Sequence, residues 1–284
     1  MPPFDLFVYK ELGKVMSELT TYPVHSVYED LTWDKSKCTG GAADDWAYEH
    51  LGVFSWTTEF WDASWHATGT GSSADVWTVG PTVEQDLAVC RWSDAHAPGG
   101  YVRWYEHDHP QLGRIELGGA DGFRIWDNAP PSMLLSEIAP HVEAAVYQAM
   151  ASPRLVIRRA RAERLAGDDD EDGGGEGVWR VELGVANAGW LETEITRHAQ
   201  INKLVSPIVV DISGEVTTLG GPAREKVGQL SGRATFLLNG GSMSDGTPDR
   251  LMHSWVVRAS RGAEVTLTVR HLRCGEVGTR LTLI

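Results

Sequence analysis

The sequence predicts an α/β part followed by an all-β, immunoglobulin-like sandwich, and three observations lead there. Apolar residues recur at helical spacing over residues 4–18 and again from Leu134 to Ala149, with a β-prone run at 52–61 between them. Beyond residue 178 the helical period is absent. Short β-prone runs replace it at 178–185, 193–199, 206–212, 226–238, 251–260, 264–271 and 278–284, separated by Gly, Asn and Pro clusters such as Asn187-Ala188-Gly189, Asn239-Gly240-Gly241 and Asp245-Gly246. Strands of that number and length, in about a hundred residues, fit such a sandwich. Between the two parts lies the acidic run Asp168-Asp169-Asp170-Glu171-Asp172, followed by Gly173-Gly174-Gly175. Like charges repel and glycine leaves the backbone unfixed, so this stretch reads as a tether or an exposed hairpin tip. The expected division is an α/β part at 1–165, a linker at 166–177 and a β-sandwich at 178–284.

In the first segment Phe4, Leu6, Phe7, Tyr9, Leu12, Val15, Met16 and Leu19 trace the stripe of an amphipathic helix. A polar connection carrying Tyr22, His25, Tyr28 and the Gly40-Gly41 turn leads to residues 52–61. That run is rich in aromatics, Thr and Val, and reads as a buried strand ending near Glu59. Residues 63–80 are small and polar and read as loop. Thr82-Val83-Glu84-Gln85 has the order of a capping box and starts a second helix. Leu112, Ile115 and Leu117 mark a strand closed by Gly118-Gly119. The clearest helix begins near Pro131 and carries Leu134, Leu135, Ile138, Val142, Ala145, Val146 and Ala149 on one side, and Pro140 should kink or split it. Leu155, Ile157 and Ala160 open a strand-like stretch toward Leu165.

Composition narrows the function. A formal net charge of −14 opposes nucleic acid, whose phosphates need clustered Lys and Arg, and anionic membrane surfaces. No apolar run is long enough to span a bilayer, and no basic segment followed by an apolar stretch stands at the N-terminus. Cys38, Cys90 and Cys274 are far apart and match no metal spacing, so they read as reduced thiols of a cytoplasmic protein. No serine lies in a nucleophile elbow, and neither Cys38 nor Cys90 has an adjacent His to activate it. His107-Asp108-His109 would point two imidazoles to one face of a strand, yet no third ligand is near in sequence; it reads as structural, and no metal ligands are assigned.

One stretch carries a more specific signal. Gly40-Gly41, Asp45-Trp46 and Thr57-Thr58-Glu59-Phe60-Trp61-Asp62 follow one another in the order found in the zinc carboxypeptidases of the A/T type, and the stretch resembles the strand bearing their catalytic glutamate. The resemblance implies the C-terminal half of an α/β catalytic domain with a mixed sheet. It implies hydrolysis of C-terminal peptide bonds or related amides, with zinc as cofactor and peptides as substrates. Glu59 then corresponds to the general base and Tyr28 to a substrate clamp, with Tyr22 as the rival tyrosine. Asp44, just before Asp45-Trp46, falls where family members set side-chain preference. Val185–Leu191 is also similar to strand-turn segments of sandwich modules appended to secreted or cell-envelope hydrolases.

The chain departs from the family in one respect. No His-x-x-Glu occurs among its ten histidines, and only 58 residues precede Glu59. The zinc ligands and substrate-gripping arginines of the family lie upstream of that strand. The expectation is therefore a chain that begins at an internal Met1 of a longer reading frame, is inactive alone, and associates through an uncovered sheet edge or apolar face. The competing expectation is a non-catalytic peptide- or glycan-binding protein on a degenerate peptidase scaffold.

Overall fold

The computed structural model describes residues 1–32, 34, 40–69, 80–167, 175–237 and 245–284. Among these residues it is a mixed helix and sheet structure with three sheets, all antiparallel. Two compact units divide it: Met1–Leu12, Ala42–Trp56 and Tyr147–Ile284 form the first, Gly13–Gly41 and Thr57–Val146 the second. No helix among the described residues is long and apolar enough to cross a membrane.

The first unit is dominated by strands β3 (Leu155–Gly167), β4 (Glu176–Asn187), β5 (Ile208–Gly214), β6 (Thr217–Gly220), β7 (Arg224–Gly228), β8 (Arg250–Ser260), β9 (Glu264–His271) and β10 (Gly275–Thr282). They form two four-stranded sheets, ordered β3-β4-β8-β6 and β10-β9-β5-β7. Alternate residues of both sheets turn inward, as the two-residue period of a strand requires. Trp179, Val181, Leu183 and Val185 of β4, Ile208, Val210 and Ile212 of β5, Trp255 and Val257 of β8, and Val265, Leu267 and Val269 of β9 make one buried core. β3 pairs with β4 from Leu155↔Asn187 to Gly167↔Gly177. The expected boundary at residues 166–177 thus falls between two hydrogen-bonded partners; residues 168–174 lie outside the described residues.

Helix α1 (Pro3–Thr20) contributes Phe4, Val8 and Leu12, one i, i+4 stripe, to a second cluster of this unit with Phe54, Ala151, Leu191 and Ala234. A short helix, α2 (Ala43–Trp46), and a π-helical turn at Ala47–Leu51 end at Gly52, whose φ is 65°. A Cβ there would lie 2.4 Å from that of Ala199, so glycine is required on both counts.

The second unit holds α3 (Ala63–Thr68), α4 (Val83–His96), the hairpin β1 (Tyr101–His109) and β2 (Gly113–Ala120), the short α5 (Gly122–Ile125), and most of α6 (Leu134–Met150). Thr82 and Gln85 close a reciprocal capping box on α4, as the sequence implies. Trp61, Ala63, Val89 and Ile125 form its core. Pro140 lies inside α6 without splitting it. The apolar stripe of α6 is largely open, with Leu135 77% and Val142 63% exposed, whereas Ala144 is 3% exposed.

Four sequence expectations are corrected. Residues 52–61 are not a strand: no strand among the described residues pairs with them, and side chains take their amides instead. Ser55 N donates to Tyr9 Oη (3.3 Å) and Trp61 N to Tyr22 Oη (2.8 Å). The aromatics that mimic a strand pack as single anchors, Phe54 and Trp56 edge-on to Tyr9 at 4.9 and 5.0 Å. Residues 63–68 are helix α3 rather than loop, because Asp62 caps them by accepting the Trp65 amide (3.1 Å). The run 193–199 turns into α7 (Arg197–Ile201), where Thr196 caps through the Ala199 amide at 3.0 Å. Among the described residues of 226–238 only β7 is strand, and α8 (Arg233–Leu237) follows. The turn Asn239-Gly240-Gly241 lies outside the described residues.

Candidate functional site

In the second unit, the segment carrying Glu59 ends in a clamp. Trp61 is buried at φ 78°, a left-handed conformation that a large side chain adopts only when its surroundings fix it. Three contacts fix it. Its amide donates to Tyr22 Oη (2.8 Å), its indole Nε1 donates to the Ile125 carbonyl (2.7 Å), and its ring stacks on His66 at 4.4 Å. Tyr22 Oη in turn donates to Glu137 Oε1, and Glu137 Oε2 lies 3.1 Å from His66 Nε2. One carboxylate of α6 therefore ties together the polar connection before residue 40 and helix α3.

The protonation of this cluster follows from its burial. The Tyr22 hydroxyl is pushed far up by desolvation and by its bond to Glu137, so it stays a donor. His141, edge-on to Tyr22 at 4.5 Å and to Phe60 at 4.7 Å, is pushed down by burial, and its Nε2 is buried without a hydrogen-bond partner among the described residues. It is a neutral ring flanking the segment. Glu59, two residues before the clamp, is exposed.

The three residues singled out from the sequence fall as follows. Glu59 and Tyr28 belong to the second unit; Tyr28 is 61% exposed in a π-helical turn at Val27–Leu31. Asp44 belongs to the first unit, half-buried in α2, where Oδ1 accepts the Asp45 amide at 3.1 Å. Tyr22, the rival to Tyr28, is the tyrosine bonded beside Glu59. Sequence reasoning missed Glu137, His66 and His141. Glu137 is the acid on the polar side of the α6 stripe, and pairing across 71 residues to His66 leaves no local trace.

The metal-like run resolves into a hairpin end. His107 and His109 have ring centroids 6.4 Å apart, and His109 Nδ1 accepts the amides of Gln111 and Leu112 at 3.2 Å each. That nitrogen shapes the turn. Among the described residues no group of three or more His, Cys, Asp or Glu side chains is placed to hold a metal ion. Cys274 has its thiol pushed up to about 12 by burial, which keeps it protonated, and Cys38 lies outside the described residues.

A second polar cluster sits in the first unit. Asp5 is fully buried; Oδ1 accepts the Arg197 amide (2.7 Å), and Oδ2 accepts the His198 amide (2.9 Å) and the Tyr48 hydroxyl (2.7 Å). Arg197 Nη2 donates to Glu192 Oε1 (3.1 Å), and Nη1 donates to Gln200 Oε1 (2.6 Å) and to Asp245. Its geometry is that of a scaffold joint.

In comparisons with known proteins, residues 154–282 match the model of a domain of unknown function (DUF8731), a span running from just before β3 to the end of β10. No curated protein and no solved structure matches the chain.

Proposed function

We propose that this chain is a zinc metallocarboxypeptidase-like protein of the cytoplasm, directed at the C-terminal bond of peptides or a related amide. Glu59 would be the general base, Tyr28 the substrate clamp and Asp44 a side-chain selector. One observation carries the reading: the ordered run Gly40-Gly41, Asp45-Trp46, Thr57–Asp62 carries a glutamate, Glu59, that is exposed yet anchored two residues on by Trp61. A general base needs both access to its proton donor and a fixed position. The finer folds go with the proposal, residues 1–165 as the carboxypeptidase-like α/β part and residues 178–284 as an immunoglobulin-like sandwich. Two four-stranded antiparallel sheets on one core support the latter.

Zinc does not fit the described residues by themselves, since none of their His, Cys, Asp and Glu groups is placed to ligate it. Residues 1–284 alone should therefore hold zinc at background and release no amino acid from a peptide. The test expresses the whole open reading frame of the gene, whatever its length, beside residues 1–284. The expected result is zinc-dependent release of C-terminal residues by the complete product, lost on Glu59→Gln with the fold intact by circular dichroism. A complete product that neither holds zinc nor cleaves peptides overturns the reading, as does cleavage indifferent to Glu59→Gln. Peptide or glycan binding without cleavage would establish the non-catalytic alternative.

The open side of α6 supports self-association, because exposed apolar stripes of this kind seek cover. Sedimentation velocity should show species heavier than the 31.1 kDa chain. Leu135→Glu with Val142→Glu should return them toward monomer, and a wild-type chain that stays monomeric at high concentration would remove this claim.

A further inference from the structure

In the first unit a cavity of about 430 Å³ opens between Arg158 of β3, Arg233 at the start of α8, and Asp249-Arg250 at the start of β8. That volume lies within the usual range of small-molecule pockets. The charges around it do not balance. Arg250 is held bidentately by Asp249, with Nε to Oδ1 at 2.8 Å and Nη2 to Oδ2 at 2.9 Å. The guanidinium groups of Arg158 and Arg233 have no ion pair or hydrogen bond among the described residues. Both arginines are exposed, so in a chain of net charge −14 this cavity opens to solvent with these two guanidinium groups on its lining.

Arg158 reaches the cavity through a break in the ladder. β3 pairs Ile157↔Val185 and then Arg159↔Gly184, so Arg158 is the extra residue of a β-bulge. Bulges redirect a side chain away from the regular alternation. Its neighbour Arg159 keeps the regular position and pairs with Glu182 at 2.9 Å. The floor is rigid. Asn187 Oδ1 accepts the amides of Arg154 and Gly189 (2.9 Å each), and Nδ2 donates to the carbonyls of Leu191 (2.7 Å) and Ser231 (3.2 Å). Gly189, where a Cβ would fall 2.4 Å from the Ser152 carbonyl oxygen, accepts the Arg233 amide at 3.3 Å and so fixes the start of α8. Ala186 and Ala188 leave the space unfilled.

We infer that this cavity binds a small organic anion through carboxylate or phosphate oxygens, with Arg158 and Arg233 as the binding residues and Arg250 set by Asp249. A planar guanidinium matches both oxyanions bidentately. The inference is independent of the peptidase reading. Its test is calorimetry with succinate and, separately, inorganic phosphate, at low salt on the whole chain. Saturable binding with a dissociation constant of about a millimolar or below is expected for one of them. Arg158→Gln and Arg233→Gln should each weaken it at least about tenfold, the share of one charge-assisted pair. Arg161→Gln, which removes the same charge from the exposed part of β3, should leave it unchanged. Succinate binding alone would make the site a dicarboxylate site, phosphate alone a phosphate site. Should a variant misfold, dicarbonyl modification of the wild-type chain gives the second reading: ligand should protect Arg158 and Arg233 but not Arg161. Binding of neither anion, or equal losses in Arg158→Gln and Arg161→Gln, overturns the inference.

Discussion

Replacing Asp5 with Ala should destabilise the first unit by about 3–5 kcal/mol, among the largest effects of any single polar substitution in the chain. Asp5 has no solvent exposure, and its two oxygens take three donors, the amides of Arg197 and His198 and the hydroxyl of Tyr48. Alanine would leave all three donors without an acceptor in a place water does not reach, and each orphaned group costs about 1–3 kcal/mol. Tyr48 is particularly exposed to this loss. Burial, and then its bond to Asp5, push its hydroxyl far above the ordinary tyrosine range, so in the native chain it is a donor that depends on this carboxylate. The two amides open α7, which Thr196 caps only once, through Ala199. Asp5→Asn keeps one carbonyl oxygen and should cost roughly half as much. Urea unfolding followed by tryptophan fluorescence checks both, with the midpoint expected to fall at unchanged slope. A loss under about 1 kcal/mol for Asp5→Ala would mean that these donors find water.

How much of this was legible beforehand depends on the range of the interaction. Helix α1, the capping box of α4 and the stripe of α6 are written in neighbouring residues, and the sequence reads them correctly. Strands β3, β4, β8, β9 and β10 announce themselves by β-prone runs that alternate over part of their length, because one face meets the core. Residues 52–61 mislead because aromatics and β-branched residues serve equally well as single anchors. Phe54 meets Tyr9, Trp61 meets His66, and no strand among the described residues supplies a ladder. Thr193–Thr196 mislead similarly: threonine favours strands, but at residue 196 its hydroxyl caps a helix. Asp5 reads as an ordinary first-turn acid of α1, and its partners lie 192 and 193 residues away. The anchoring of Glu59 was out of reach for the same reason. The run at 40–62 can be read as a motif, whereas Glu137 joining Tyr22 to His66 is set by tertiary packing alone.

Glu192→Gln should stabilise the chain, and only above mildly acidic pH. Burial, opposed by the neighbouring Arg197, pushes the Glu192 carboxyl up from its ordinary 4.5 to about 7. Its Oε2 is buried with no hydrogen-bond partner among the described residues, an arrangement that suits a carboxylic acid better than a carboxylate. Because the folded value lies above the unfolded one, the sign is fixed. Below about pH 4.5 the group is protonated in both states and affects nothing. Between there and about pH 7 the unfolded chain releases its proton while the folded chain keeps it, so stability falls as pH rises. Above about pH 7 the cost levels off, at about 3 kcal/mol for that difference. Glutamine mimics the protonated acid: its carbonyl oxygen still accepts from Arg197, whose other donors remain on Gln200 and Asp245. The gain should be about 1–3 kcal/mol at pH 8 and should vanish near pH 4.5, measured by chemical unfolding across that range. The opposite result at pH 8, a loss of stability, would mean that the Coulomb attraction of Arg197 exceeds the burial cost, and that Glu192 is an ionised strut of the scaffold.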